Sequence, residues 1–176
     1  MFDPAATIVV AFEYGAGVRD STHQWITKTF PAENIRSVRL SPLIVARNRA
    51  IRDMVLPVAD KFSTALFIDN DVTITHPGLE NWLALEADVV SCECAMRHPN
   101  AWTPLDAFHN PLWRCSMQVL QAIQPPWFHW IYADDGCGIV GCDCRYFALK
   151  VIAAGFSVCH GGHCGHTMNG SWHQGS

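Results

Sequence analysis

Short apolar runs alternate with amphipathic stretches along most of the chain. Thr7-Ile8-Val9-Val10-Ala11-Phe12 is apolar and rich in β-branched residues, and it stops at the turn-rich Glu13-Tyr14-Gly15-Ala16-Gly17. This predicts a buried first strand with a loop at its carboxyl end. A helix is expected from Ser21, a suitable N-cap, to about Phe30, followed by a second strand over residues 35–40. Ser41-Pro42 supplies a capping hydroxyl and a proline at the first helical position, so a helix is expected to about Val55, ahead of Pro57. Ala65-Leu66-Phe67-Ile68 reads as a third buried strand that runs directly into Asp69-Asn70-Asp71. A helix over 77–85 and a strand over 88–92 follow.

The pattern then loosens. Residues 96–133 hold five prolines and four tryptophans, and only a short helix or strand near 113–123 is expected there. A strand over 136–142, a helix over 145–154 closed by Gly155, and a last strand over 156–159 complete the reading. The tail from Gly161 is rich in Gly and His, and there are no internal repeats. Strand–helix alternation of this kind implies an α/β single domain, with a mostly parallel central sheet flanked by helices. Ligands bind such sheets at the carboxyl ends of the strands. The Glu13 loop and the Asp69 turn both fall at that edge, and so point to one crevice.

The length of 176 residues suits one domain. Its expected division falls near residue 95, into halves over about 1–95 and about 96–166, with a flexible tail expected at 167–176. Apolar residues at 49% and charged residues at 16% are the composition of a packed core rather than a disordered chain. A net charge of −4 and a pI near 6.1 exclude a general basic field for nucleic acid. A local patch is left, for which Arg36, Arg39, Arg47, Arg49 and Arg52 are the candidates. No stretch approaches the ~20 apolar residues of a membrane span, and no targeting segment is visible, so the expectation is a soluble, cytoplasmic protein. Reduced thiols are then the default for the eight Cys.

The acidic turn is the first candidate for chemistry. Two carboxylates one residue apart at the end of a buried strand are costly to keep ionised without a cation. Mn²⁺ or Mg²⁺ suits such oxygens and would bridge a diphosphate; the plain alternative is a solvated turn. The second candidate is Arg47 with Asn48. Arg47 stands four residues from both Leu43 and Ile51, and Asn48 four from Ile44, which places the pair on or beside the inward helix face. Buried Arg and Asn require partners: a phosphate, a nucleoside, or a core carboxylate. Arg49 and Asp53, four apart on the outer face, suit a surface ion pair.

These residues resemble the GT-A glycosyltransferases. The likeness is carried by Pro42-Leu43-Ile44-Val45-Ala46-Arg47-Asn48-Arg49-Ala50, by the strand that ends in Asp69-Asn70-Asp71, and by Ala87-Asp88-Val89-Val90. Asp135-Gly136-Cys137-Gly138 with Arg145 and Phe147, and the closing Cys164-Gly165-His166, are similar to later segments of the same group. The resemblance implies a Rossmann-like GT-A fold and a metal-dependent transferase that moves a sugar from a nucleoside diphosphate sugar to a hydroxyl. It implies metal ligation by Asp71, Asp69 and His166, with Mn²⁺ or Mg²⁺ as cofactor. It places Arg47, Asn48, Asp69 and Asn70 on the donor, and Glu13 and Tyr14 near its base. The acceptor would be a glycan, a small molecule, or a hydroxymethylated pyrimidine in phage-type DNA. A duplex base would have to flip out to be reached.

The chain is shorter than typical members, which carry an acidic pair opening a late helix. Asp134, Asp135 and Asp143 are the nearby carboxylates. Asp135, ahead of a glycine-rich strand start, is the expected catalytic base. Asp143 is the alternative, or else a helix N-cap. Two rival readings stand beside this one: a non-catalytic nucleotide-sugar-binding module, and a zinc-stabilised interaction domain. The second would draw on His160, His163, Cys164 and His166 with Cys142 and Cys144. The aromatic stretch from Trp102 to Trp130 would form an acceptor wall or fill the core.

Overall fold

The computed structural model describes residues 2–13, 20–39, 42–74, 79–94 and 111–166, without the side chains of 79–80, 93–94, 162–163 and 165–166. Tyr14, Ser41 and Trp102 therefore lie outside the described residues. Nine strands are described: β1 (Thr7–Phe12), β2 (Ile35–Val38), β3 (Thr64–Asp69), β4 (Val72–Thr73), β5 (Val89–Cys94), β6 (Leu112–Ser116), β7 (Ile131–Tyr132), β8 (Ile139–Gly141) and β9 (Val158–His166). The helices are α1 (Asp20–Thr29), α2 (Leu43–Ala50), α3 (Leu79–Leu83), α4 (Met117–Ala122) and α5 (Asp143–Ala153). Among the described residues no helix is long and apolar enough to cross a membrane.

The sheet runs β2-β1-β3-β6-β5-β9-β4. β2, β1 and β3 are parallel, and β5 and β9 are parallel. β6 is antiparallel to both β3 and β5, so it alone is reversed among the six central strands. This is a mixed α/β, Rossmann-like sheet, mostly parallel as the strand–helix alternation predicts. The two-residue β4 pairs antiparallel with the far end of β9. β7 and β8 form a separate hairpin.

Burial on both faces explains the unbroken apolar runs. Ile8, Val10 and Phe12 of β1 pack with Ala65 and Phe67 of β3 on one face, under α2, α4 and α5. Val9, Leu66 and Ile68 face the other way, toward Ile26, Phe30, Trp82 and Leu83. The first face is filled by aromatic rings. Phe67 stacks on Trp113 with centroids 4.1 Å apart, and Trp113 meets Phe147 at 5.0 Å. Trp113 and Trp127 are thus core, and only Trp130 of the described tryptophans beyond 112 stands exposed. Of the described part of that stretch, Trp113 and Trp127 therefore take the core-filling alternative.

Three departures from the sequence reading have physical causes. Pro42 occupies the N-cap position of α2, not its first turn, and the helix continues as a wider π turn over Ile51–Val55 and a 3-10 turn over Leu56–Val58. The stretch 113–123 is a strand and then a helix, since β6 hands directly to α4. The glycine-rich segment after 160 is not a tail but the second half of β9. Its glycines permit close packing: a Cβ on Gly161 would stand 2.3 Å from Leu85 Cδ1. Glycine in a strand marks this kind of approach as readily as it marks a break.

Candidate active site

β3 delivers Asp69 to the carboxyl edge of the sheet, 7% exposed, with its backbone N–H donating to Pro111 O at 2.7 Å. The turn through Asn70 and the half-buried Asp71 leads into β4. That strand is held from two sides. The Thr22 hydroxyl on α1 donates to Val72 O at 2.5 Å, and β9 pairs Val72 with His166 and Thr73 with Gly165. The backbone register therefore sets His166 opposite Val72, the residue that follows Asp71. β1 lies beside β3 with Phe12 opposite Asp69, so Glu13 emerges at the same edge.

Arg47 comes up from α2 and is 3% exposed. Its Nη2 donates to Asp69 Oδ2 at 2.9 Å and its Nη1 to Asp143 Oδ2 at 2.7 Å. The guanidinium lies over the Phe128 ring, 5.6 Å from its centroid. Burial works against the charge, but the Asp69 and Asp143 carboxylates outweigh it and hold Arg47 firmly protonated. Taking these ions out of water is expensive, and only their mutual pairing offsets it. Two carboxylates share the one buried guanidinium.

Asp143 opens α5, with Cys142 and not Asp143 at the N-cap. A carboxylate in the first turn of a helix is favoured by the exposed N–H groups there. Asp135 is placed differently. It sits exposed in the β7–β8 loop, where its Oδ1 accepts from Cys137 N at 2.8 Å beside Gly136 at φ +71°. Of the two expected catalytic carboxylates, the ion cluster includes Asp143 and shapes nothing around Asp135.

Asn48 acts as a latch. Its Nδ2 donates to Ile44 O at 2.9 Å and Phe128 O at 2.8 Å, and its Oδ1 accepts from Trp127 N and Phe128 N. Two donors and two lone pairs are all that a side-chain amide has. Its expected contact with a donor is therefore replaced by a structural one, which fixes the irregular segment that carries Phe128. Glu13 accepts from Ser37 Oγ at 2.8 Å and from Arg39 Nε at 2.5 Å. Arg39 and then Ser37 hold its carboxyl below the usual range.

The expected arginine patch is not one surface, because Arg47 is inside. Arg36 turns to the backbone carbonyls of Glu33 and Ile35, and Arg52 pairs with Asp53 in place of the expected Arg49. The zinc grouping is divided by the sheet. Cys142 and Cys144 belong to the first core face and Cys164 to the second. Among the described residues no group of three His, Cys, Asp or Glu is arranged for a metal; the side chains of His163 and His166 lie outside that description. Sequence reasoning gave no role to Phe128 or Thr22. Neither carries a local signal, since each acts through a partner distant in the chain.

No family model matches this chain, and neither does any curated protein. Solved structures do. A197 from STIV superposes with a TM-score of 0.59 at 18% identity, over 92% of this chain and 86% of that one. A likeness at that identity shows the fold alone. A protein of Desulfovibrio desulfuricans G20, provisionally named a nucleotide-diphospho-sugar transferase, superposes with a TM-score of 0.48 at 9% identity, over 93% of this chain and 82% of that one.

Proposed function

We propose that this chain is a metal-dependent glycosyltransferase of GT-A architecture, which moves a sugar from a nucleoside diphosphate sugar to an acceptor hydroxyl. The observation that carries this reading is the buried Asp69–Arg47–Asp143 cluster at the carboxyl edge of the sheet, next to Asp71 and Glu13. Carboxylates gathered at a ligand-side edge offer the oxygen donors that a hard divalent cation takes. The donor set of Asp69, Asp71 and His166 suits Mn²⁺ or Mg²⁺. When bound, the ion would neutralise charge on the departing diphosphate.

The chain's own residues do the rest. Arg47 fixes the rotamer of Asp69, so that the acidic turn is preorganised before the donor arrives. Glu13, with Tyr14 next to it in the chain, would serve the base, and Asn70 the sugar diphosphate. In an inverting transfer, the acceptor oxygen attacks the anomeric carbon and the bond to the diphosphate breaks. The acceptor proton goes to a carboxylate. Asp143 is that base in preference to Asp135: its Oδ2 is held by Arg47, and its Oδ1 meets only the Cys144 thiol at 3.7 Å in the contacts described. The acceptor is a glycan, a small molecule or a hydroxymethylated pyrimidine.

Thermal shift with nucleoside diphosphates and their sugars, with and without Mn²⁺, tests the reading, because a ligand of the native state alone raises the melting temperature. One nucleotide should give a metal-dependent rise that Asp71→Ala removes without changing the ligand-free melting temperature. No metal-dependent rise with any nucleotide would overturn it. The burial of Asp143 favours a second reading, a nucleotide-sugar-binding module without turnover. Release of free nucleotide from a bound donor in the presence of acceptors separates the two.

A further inference from the structure

A cleft of about 450 Å³ lies on the outer side of α2, a size typical of small-ligand sites. Its helical wall is Val45, Asn48, Arg49 and Arg52, a single stripe at the spacing of one helix face. The opposite wall is Pro125, Pro126 and Trp127. Arg47, two residues before Arg49, turns the other way, into the ion cluster. The π turn that extends α2 begins at Ile51, beside Arg52, and such wide turns recur at functional sites.

The walls are fixed to each other before any ligand arrives. Asn48 Oδ1 accepts from Trp127 N at 2.8 Å and from Phe128 N at 3.1 Å. From α5, Lys150 Nζ donates to Pro126 O at 2.9 Å and also to Gln124 O. The proline segment is thus held from two sides, and a rigid wall spares a ligand the cost of ordering it.

None of the described residues that line the cleft is acidic. Arg52 gives Nε and Nη2 to Asp53 Oδ1 and Oδ2 at 2.6 and 2.8 Å. Arg49 is exposed and makes no hydrogen bond or ion pair among the described residues. Of these three side chains, one positive charge is unmatched, and it stands beside apolar surface from Val45 and the prolines.

We propose that this cleft binds a small organic carboxylate. Its flat apolar body lies between Val45 and the two proline rings, and its carboxylate takes the planar fork of Arg49 in a bidentate pair. Arg52 Nη1, which Asp53 does not use, is a further donor at the same rim. A single carboxylate matches the single unmatched charge. The site lies across α2 from Asp69, and the proposal stands whether or not the chain transfers a sugar.

The full chain, isotope-labelled for amide NMR, is titrated with naphthoate and with naphthylmethanol, the neutral analogue of nearly the same shape. Naphthoate should move the amides of Val45, Arg49, Arg52 and Trp127 and saturate with a Kd of about 1 mM or below. The alcohol should bind about five- to tenfold more weakly, and Arg49→Gln should bring naphthoate down to the affinity of the alcohol. Val45→Trp, which fills the cleft, should abolish binding of both. Arg49 is exposed, so an unchanged melting temperature in Arg49→Gln shows that the fold is intact. Equal affinity for acid and alcohol in the parent overturns the proposal, as does full naphthoate affinity in Arg49→Gln. Shifts centred on Asp69 and Glu13, or on the β7–β8 hairpin, place the ligand elsewhere and overturn it too. Tighter binding of naphthyl phosphate than of naphthoate would make this a dianion site and refute the carboxylate assignment.

Discussion

Asp69 and Asp135 sit in acidic turns that look alike on paper, and the protein treats them in opposite ways. Asp69 ends a strand that is buried on both faces, and it is 7% exposed. Asp135 tips a hairpin whose strands, Ile131–Tyr132 and Ile139–Gly141, are short and largely solvated. A carboxylate in the first setting must be paired, and Arg47 pairs it. One in the second setting is satisfied by a local backbone N–H and by water. The apolar strand leading to an acidic turn therefore decides what the turn is for. It forces the carboxylate to recruit a distant partner, and Arg47, shared with Asp143, is that partner.

The contrast predicts a large effect at the centre of the cluster. Arg47→Ala leaves Asp69 and Asp143 buried without their counter-charge, and should cost about 3–5 kcal/mol of stability by urea denaturation. Asp135→Ala should stay within about 0.5 kcal/mol of the parent, as exposed substitutions do. Equal losses in the two variants would erase the distinction. A small loss in Arg47→Ala would mean that water reaches the cluster and screens it.

Asn48→Ala tests whether the latch is separable from the ion cluster. It leaves Trp127 N, Phe128 N and Phe128 O without their side-chain partner. The expected loss is about 1–3 kcal/mol, the desolvation cost of a buried group left unpaired. Amide exchange should speed up first at Trp127 and Phe128. Faster exchange at Asp69 alone, with those two unchanged, would show that Asn48 serves the acidic turn directly.

Most of the first half was legible because its signals are local. The apolar runs of β1 and β3 and the inward placement of Arg47 follow from periodicity. The expected Asp69 turn also falls where strand β3 must end. The second half was less so. The reversed strand β6 lies inside a proline- and tryptophan-rich stretch, and its direction is set by pairing with β3 and β5 and not by its own residues. The extension of β9 through His166 was hidden by its glycines, of which Gly161 serves a close approach to Leu85. The partner of Arg47 could not be chosen either. Asp143 is ninety-six residues away, and nothing near Arg47 in the chain distinguishes it from a bound phosphate.

The smallest predicted effect sharpens the same contrast at the hairpin. Gly136 takes φ +71°, a conformation that costs a side chain about 1 kcal/mol, and a Cβ there meets no atom within 4 Å. Gly136→Ala is therefore strained only through its backbone. Its N–H bonds Ala133 O, and Ala133 N bonds Gly138 O, so the strain falls on a loop closed on itself. The hairpin should open locally, with faster amide exchange at residues 133 and 136 and a melting temperature almost unchanged. A drop in global stability as large as that of Asn48→Ala would instead mean that the hairpin folds as one unit with the ion cluster. β8 leads into Asp143 through Cys142 alone, so the exchange measurement asks whether that short link transmits strain. If it does not, α5 and the cluster hold Asp143 in place without help from the hairpin.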